Sequence, residues 1–288
     1  MAEPKSMTSS RPARRFDWQN LAVRAASAAV LIPAVVAAVF LPWMFPFWLA
    51  GLFPMLVAVA IALLAIEWAA MTARRSPNRV AVALTVAVVI PLLLAFRHAM
   101  VAAEVAALAG IAVAALVAWT GSEKPQDAAF GVAYMVIPCL ALMWMRGEGQ
   151  PISWTIMLFT VTWSADICAY AAGNLLKGPK LWPRFSPNKT WSGFVGGLIG
   201  AMAAAVLVGY FSTARLSFAV AAVIGLVGGL ATMAGDLWES MLKRRYGVKD
   251  SGDIIPGHGG LLDRVDGLMF AILAIAGARY LHLQGWLS

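Results

Sequence analysis

Nine stretches of this chain, each close to twenty residues long and nearly free of charge, leave little choice of fold. They run over roughly 21–42, 45–70, 80–96, 99–120, 128–145, 152–172, 191–211, 216–235 and 267–285. At 1.5 Å of rise per residue, about 20 apolar residues in helical form cross the hydrocarbon core of a bilayer. A composition that is 61% hydrophobic and 12% charged excludes an ordinary soluble core. The expected fold is all-α: a polytopic integral membrane protein with about nine transmembrane helices and a cytoplasmic N-terminus.

The orientation follows from the cations. If the spans alternate and the N-terminus is inside, all of the 22 lysines and arginines except Arg97, Arg146, Arg215 and Arg279 fall in the tail, the first span or inside loops. That asymmetry is what the positive-inside rule describes. It accounts for the net charge of +8 and pI near 9.9 through topology and anionic lipid, so no nucleic-acid partner is expected. Residues 1–20, with Lys5, Arg11, Arg14 and Arg15, read as a disordered cytoplasmic tail. The first apolar run exceeds the 7–15 residues of a signal-peptide core, and it reads as a retained anchor. The chain then divides into N-terminal spans over 21–150 and a C-terminal catalytic region over 151–288. Cys139 and Cys168 lie in apolar segments without disulfide or zinc spacing and read as packed hydrophobes. Gly196, Gly197 and Gly200 read as a close helix contact.

Polar chemistry concentrates in two loops, 173–191 and 236–266, both cytoplasmic in this topology. Between residues 240 and 266 lie Lys243, Arg244, Arg245, Lys249 and Arg264, together with Asp250, Asp253, Asp263 and Asp266. Asp263 and Asp266 are three apart at the threshold of the last span, so a helix starting there presents both on one face. Paired carboxylates point to a divalent metal, and the surrounding cations and glycines to phosphate. In Pro256-Gly257-His258-Gly259-Gly260 the glycines let backbone N–H groups approach an anion, with His258 as phosphate donor or proton shuttle. Upstream, Asp236, Glu239, Ser240 and Lys243 recur at helical spacing. They form either a metal-nucleotide stripe or an amphipathic helix end with Glu239 paired to Lys243.

The loop over 173–191 repeats the theme with Lys177, Lys180, Arg184 and Lys189 among the hydroxyls of Ser186 and Thr190; Ser192 follows. Such a set suits a polyphosphate. Trp182 and Trp191 read as interfacial aromatics. Asp166 lies inside a span, where a carboxylate costs about 2.5–3.5 kcal/mol, so it should face a polar cavity. Glu67 and Glu104 raise the same question.

These residues, in this order, resemble a known signature. Ser240, Lys243 and Arg244, followed by Lys249-Asp250, His258-Gly259-Gly260 and Asp263-Arg264-Val265-Asp266, are similar to the phosphatidate cytidylyltransferase (CDP-diacylglycerol synthase) family of bacterial inner membranes. Gly235-Asp236, Glu239-Ser240, the run Ser186 to Trp191, and Asp166 with Tyr170 extend the likeness over the C-terminal half. The loop departs from the family pattern at Asn174, Asn188 and Ser192.

The resemblance implies a homodimer in the inner membrane that transfers cytidylyl from CTP to phosphatidic acid at its cytoplasmic face. It implies one or two Mg2+ ions held by Asp236, Asp263 and Asp266, and is compatible with a monovalent co-ion. Catalytic roles then fall to Asp263, Asp266, Lys243 and His258. Substrate contacts fall to Ser186, Lys189, Thr190, Ser240, Arg244, Lys249, Asp250, Gly259, Gly260, Arg264 and Asp166.

Two other classes compete. A CDP-alcohol phosphotransferase needs further aspartates after Asp266 at helical spacing, and none follows. A secondary transporter using Asp166, Glu67 and Glu104 as intramembrane ion sites needs paired broken segments in two halves, whereas here the polar residues gather in one half.

Overall fold

A computed structural model describes residues 29–30, 33–42, 44–45, 49–147, 151–183, 186–212, 216–255 and 259–287. Within them the chain forms a short helix α1 (Pro33–Pro42) and eight helices long and apolar enough to cross a membrane. These are α2 (Leu52–Thr72), α3 (Pro77–Phe96), α4 (Met100–Thr120), α5 (Pro125–Met145), α6 (Pro151–Leu176), α7 (Trp191–Phe211), α8 (Phe218–Arg245) and α9 (Leu262–Leu283). Strands β1 (Lys180–Trp182) and β2 (Ser186–Thr190) make an antiparallel hairpin between α6 and α7. The protein is a polytopic all-α membrane protein, as its apolar runs require. Of the first expected span only the C-terminal part, as α1, is described, and the basic tail lies outside the described residues.

Local sequence explains the starts. Pro77 and Pro125 stand in the first turns of α3 and α5, where a missing N–H costs nothing. Thr190 caps α7 by accepting from Gly193 N at 3.2 Å, and Ser217 caps α8 by accepting from Val220 N at 3.4 Å.

The span ends expected at Gly235 and Gly267 shift. α8 continues to Arg245 and α9 begins at Leu262, so both ends of the polar stretch are helix rather than loop. Hydropathy cannot see this, because a helix leaving the membrane changes its composition without changing its backbone.

One end of the bundle collects the polar turns. Glu123, after α4, accepts from Arg75 N at 2.5 Å and Ser76 N at 2.7 Å, which joins it to the turn before α3. Burial works against its charge, yet the backbone N–H groups of Ser76, Arg75 and Arg74 hold its carboxyl below the ordinary range. Tyr246, after α8, donates to Asp127 Oδ1 at 3.1 Å. Burial beside Asp127 pushes its hydroxyl up to about 12, so it stays a donor at neutral pH. Trp68 bonds Asp127 O at 3.0 Å and packs on Phe130, Tyr134 and Tyr246. At the far end Arg279 donates to the carbonyls of Trp144 (2.9 Å) and Met145 (2.5 Å), satisfying the last turn of α5.

Candidate active site

The site begins with two glycines. A Cβ on Gly235 would lie 2.4 Å from Asp266 O, and one on Gly267 would lie 2.8 Å from Thr232 Cγ2. Only hydrogen in both places lets α8 and α9 cross this closely. The crossing draws together Asp236 and Asp266, the residues that adjoin those glycines, and their side chains meet. Asp266 is buried and accepts from Gly267 N at 2.7 Å.

One to two turns farther out, Lys243 binds Glu239 Oε2 at 2.7 Å and Asp263 Oδ1 at 2.5 Å. Of the two readings of the helical stripe, the pairing of Glu239 with Lys243 at i,i+4 is present, and the same lysine reaches across to α9. Glu239 is 1% exposed, and its Oε1 is buried without a hydrogen-bond partner among the described residues. Asp263 Oδ2 also accepts from Ser251 N at 3.3 Å.

The loop over 173–191 arrives from the other side as the hairpin, a structure its prolines did not foretell. The register pairs Lys180 with Thr190 and Trp182 with Ser186. It brings Lys189 onto Asp236 as an ion pair. Behind that pair opens a cavity of about 760 Å³, lined in part by Asp166, Lys177, Lys180, Lys189, Thr190 and Asp236. Asp166 does line a cavity, one whose wall is largely apolar but carries three lysines. Two of the positions where the family pattern is broken, Asn174 and Asn188, line it too, while the Ser192 hydroxyl donates to the Lys177 carbonyl.

Other expected residues sit elsewhere. Ser186 does not line the cavity, and Thr190, which does, also caps α7. Arg244, Lys249, Asp250 and Arg264 are exposed and do not line the cavity, with Arg244 donating to Val248 O at 3.3 Å; Ser240 is half-buried on α8. Gly259, at φ +81°, pairs with Ile255 and takes a conformation suited to glycine; Gly260 is buried. His258, with Pro256 and Gly257, lies outside the described residues. Sequence reasoning passed over Gly235 and Gly267, although their adjacency to the two aspartates was visible. It raised Glu67 only as an in-span carboxylate, not as the acceptor of backbone N–H groups at the start of α9. The three carboxylates of the transporter alternative do not share a site: Glu67 is engaged at α9, Glu104 is exposed on α4, and Asp166 lines the cavity.

Among the described residues no three His, Cys, Asp or Glu side chains converge as a ready metal site. Asp263, expected beside Asp236 and Asp266, is turned to Lys243 a turn farther out. The fit to a metal therefore rests on the neighbouring Asp236 and Asp266 and on the orphaned Glu239 oxygen. Oxygen donors of like charge, those of Asp266 and Glu239 buried and that of Asp236 partly so, suit a hard divalent cation.

The polar end of this membrane bundle holds neighbouring carboxylates, lysines and a large cavity, groups of the kind that phosphate chemistry beside a bilayer calls for. Comparison with known proteins narrows this class. Residues 22–281 match the model of the cytidylyltransferase family, and the chain belongs to that family. A phosphatidate cytidylyltransferase of Brucella suis is 44% identical over 181 residues, covering 62% of this chain and 63% of the relative. One from Staphylococcus aureus is 40% identical over 149 residues, covering 51% of this chain and 56% of the relative. The chain thus spans under two-thirds of the length of these relatives.

Proposed function

We propose that the protein transfers a cytidylyl group from CTP to phosphatidic acid, giving CDP-diacylglycerol and pyrophosphate. The observation that carries this reading is the meeting of Asp236 and Asp266 at a glycine crossing, beside a lysine-lined cavity at the cation-rich end of the bundle. A phosphate oxygen of phosphatidic acid forms a bond to the α-phosphorus of CTP. The bond from that phosphorus to the bridging oxygen breaks, and pyrophosphate leaves with the electron pair. Such transfer needs positioning and charge neutralisation more than covalent help.

Lys177, Lys180 and Lys189 supply charge-assisted donors to phosphate oxygens in the cavity. Lys243 holds Glu239 and Asp263 in place. Arg244, Lys249 and Arg264, exposed at and beyond the end of α8 and at the start of α9, offer a first contact to an anionic nucleotide. His258 keeps its expected role as phosphate donor or proton shuttle. Asp236 and Asp266, with Glu239 in reserve, would hold Mg2+, which when bound neutralises phosphate charge and stabilises the departing pyrophosphate.

The cation asymmetry supports an inner-membrane protein with this end toward the cytoplasm, where a lipid headgroup meets soluble CTP. A homodimer belongs to the same proposal. The test is purified protein in mixed micelles with labelled CTP, phosphatidic acid and Mg2+. CDP-diacylglycerol is the expected product; its absence, or its formation undiminished by EDTA, would sink the proposal.

A further inference from the structure

We propose that Glu67, on α2 in the N-terminal half, is a positioning residue that clamps the start of α9 and so fixes Asp263 and Asp266 in the site. The functional part of this inference rests on the cytidylyl transfer proposed above.

The first N–H groups of any helix lack intrahelical acceptors, and a Ser, Thr, Asp or Asn at the cap ordinarily supplies one. α9 has Leu261 there, with no side-chain hydrogen bond to offer. A carboxylate from far up the chain takes over. Glu67 Oε1 accepts from Leu261 N and Oε2 from Leu262 N, both at 2.7 Å, and Ser251 Oγ donates to Oε2 at 3.4 Å. Glu67 is 1% exposed, so these donors stand in for water around a buried charge, and the helix N-terminus adds a favourable field.

The surroundings are built to this contact. A Cβ on Gly260 would fall 1.9 Å from Ser251 Oγ and 3.1 Å from both Glu67 oxygens, and one on Gly252 would fall 3.2 Å from Glu67 Cγ. Both stems of the loop from 251 to 261 are thereby pinned to α2. Two oxygens on two successive N–H groups fix the rotation of the first turn as well as its position. Asp263 follows at the next residue, and its Oδ2 is tied back to Ser251 N at 3.3 Å. Asp266 stands one turn on, against Asp236. Through Glu67 the N-terminal helices thus reach the start of α9 itself.

Glu67→Gln tests this, because an amide places an NH2 where one of the two backbone donors needs an acceptor. Full-length protein in detergent is compared with wild type by amide hydrogen exchange over residues 259–266 and by steady-state kinetics with varied CTP. Glu104→Gln, a change on the exposed face of α4, is the control. The expected result for E67Q is faster exchange at Leu261 to Asp266 with kcat lower by about 10- to 100-fold and KM for CTP little changed, as for catalytic groups displaced by about 1 Å. Gly252→Ala, which crowds Glu67 without removing it, should give a weaker version of the same pattern, and it decides the matter if E67Q fails to fold. Wild-type exchange in these variants overturns the clamp, and so does a loss confined to yield or melting temperature with kcat per folded molecule intact. Wild-type protein that makes no CDP-diacylglycerol overturns the functional reading instead, and the exchange measurement still decides the clamp.

Discussion

Asp236, Asp266 and Lys243 carry most of the argument at the scale of single residues, and they answer to different measurements. Asp236→Asn and Asp266→Asn remove charge without changing shape, so each should lower turnover by at least about 100-fold while expression and melting temperature stay near wild type. Product formation per folded molecule, measured with labelled CTP, checks this; near wild-type rates in both would remove these carboxylates from the chemistry. Lys243→Met should be costly to the fold as well. It strands buried Glu239 together with Asp263, and breaking a buried pair by removing one partner costs about 3–5 kcal/mol. Thermal unfolding followed by size exclusion in detergent should show a clear drop, and restoring neutrality with Glu239→Gln in the same chain should recover part of it. Position in sequence revealed the aspartates and the lysine. It did not reveal that Lys243 would take Asp263 away from Asp266, since residues three apart share a face yet stand 4.5 Å apart along the axis.

Elements meet through absent side chains. α6 and α7 touch where a Cβ on Gly196 would lie 2.4 Å from Ala172 Cβ and one on Gly200 would lie 2.5 Å from Cys168 Sγ. Gly200→Leu should therefore destabilise the bundle by about 1–3 kcal/mol or more through overpacking. Gly277→Ala, with nothing within 4 Å, should stabilise by about 0.5–1 kcal/mol. Melting temperatures of the two variants in one detergent should move in opposite directions. Glu123 offers a pH test at the turn between α2 and α3. Its carboxyl is held below the ordinary value in the folded protein, so its contribution is complete above that ordinary value, about 4.3, and fades as pH falls through the depressed one. Glu123→Gln should lower the melting temperature slightly at pH 7 and by progressively less below about pH 4. Equal differences at both pH values would contradict the assignment. The glycine contact of α6 and α7 was legible as small residues at helical spacing. The hairpin was not, because strands of three and five residues are too short to show a period.

Over the whole molecule, one end gathers the turns, the cavity and most of the cations. Cysteine introduced at Gln126, exposed beside the start of α5 at this end, should be shielded from a membrane-impermeant thiol reagent in spheroplasts. Cysteine at His98, exposed between α3 and α4 at the other end, should react. Labelling in the reverse sense would invert the proposed orientation. The sequence by itself determined that the chain is a helical membrane protein, where its long helices lie, and in which stretches its polar and charged residues gather. Those are consequences of hydrophobic length and local charge, both of which are written along the chain. Only the tertiary structure decided which carboxylates meet, that Lys189 and Lys243 neutralise different ones, and that Glu67 caps a helix 194 residues away. These depend on which helices cross and how closely, and that is set by glycine positions and packing across the bundle rather than by the spacing within any one segment.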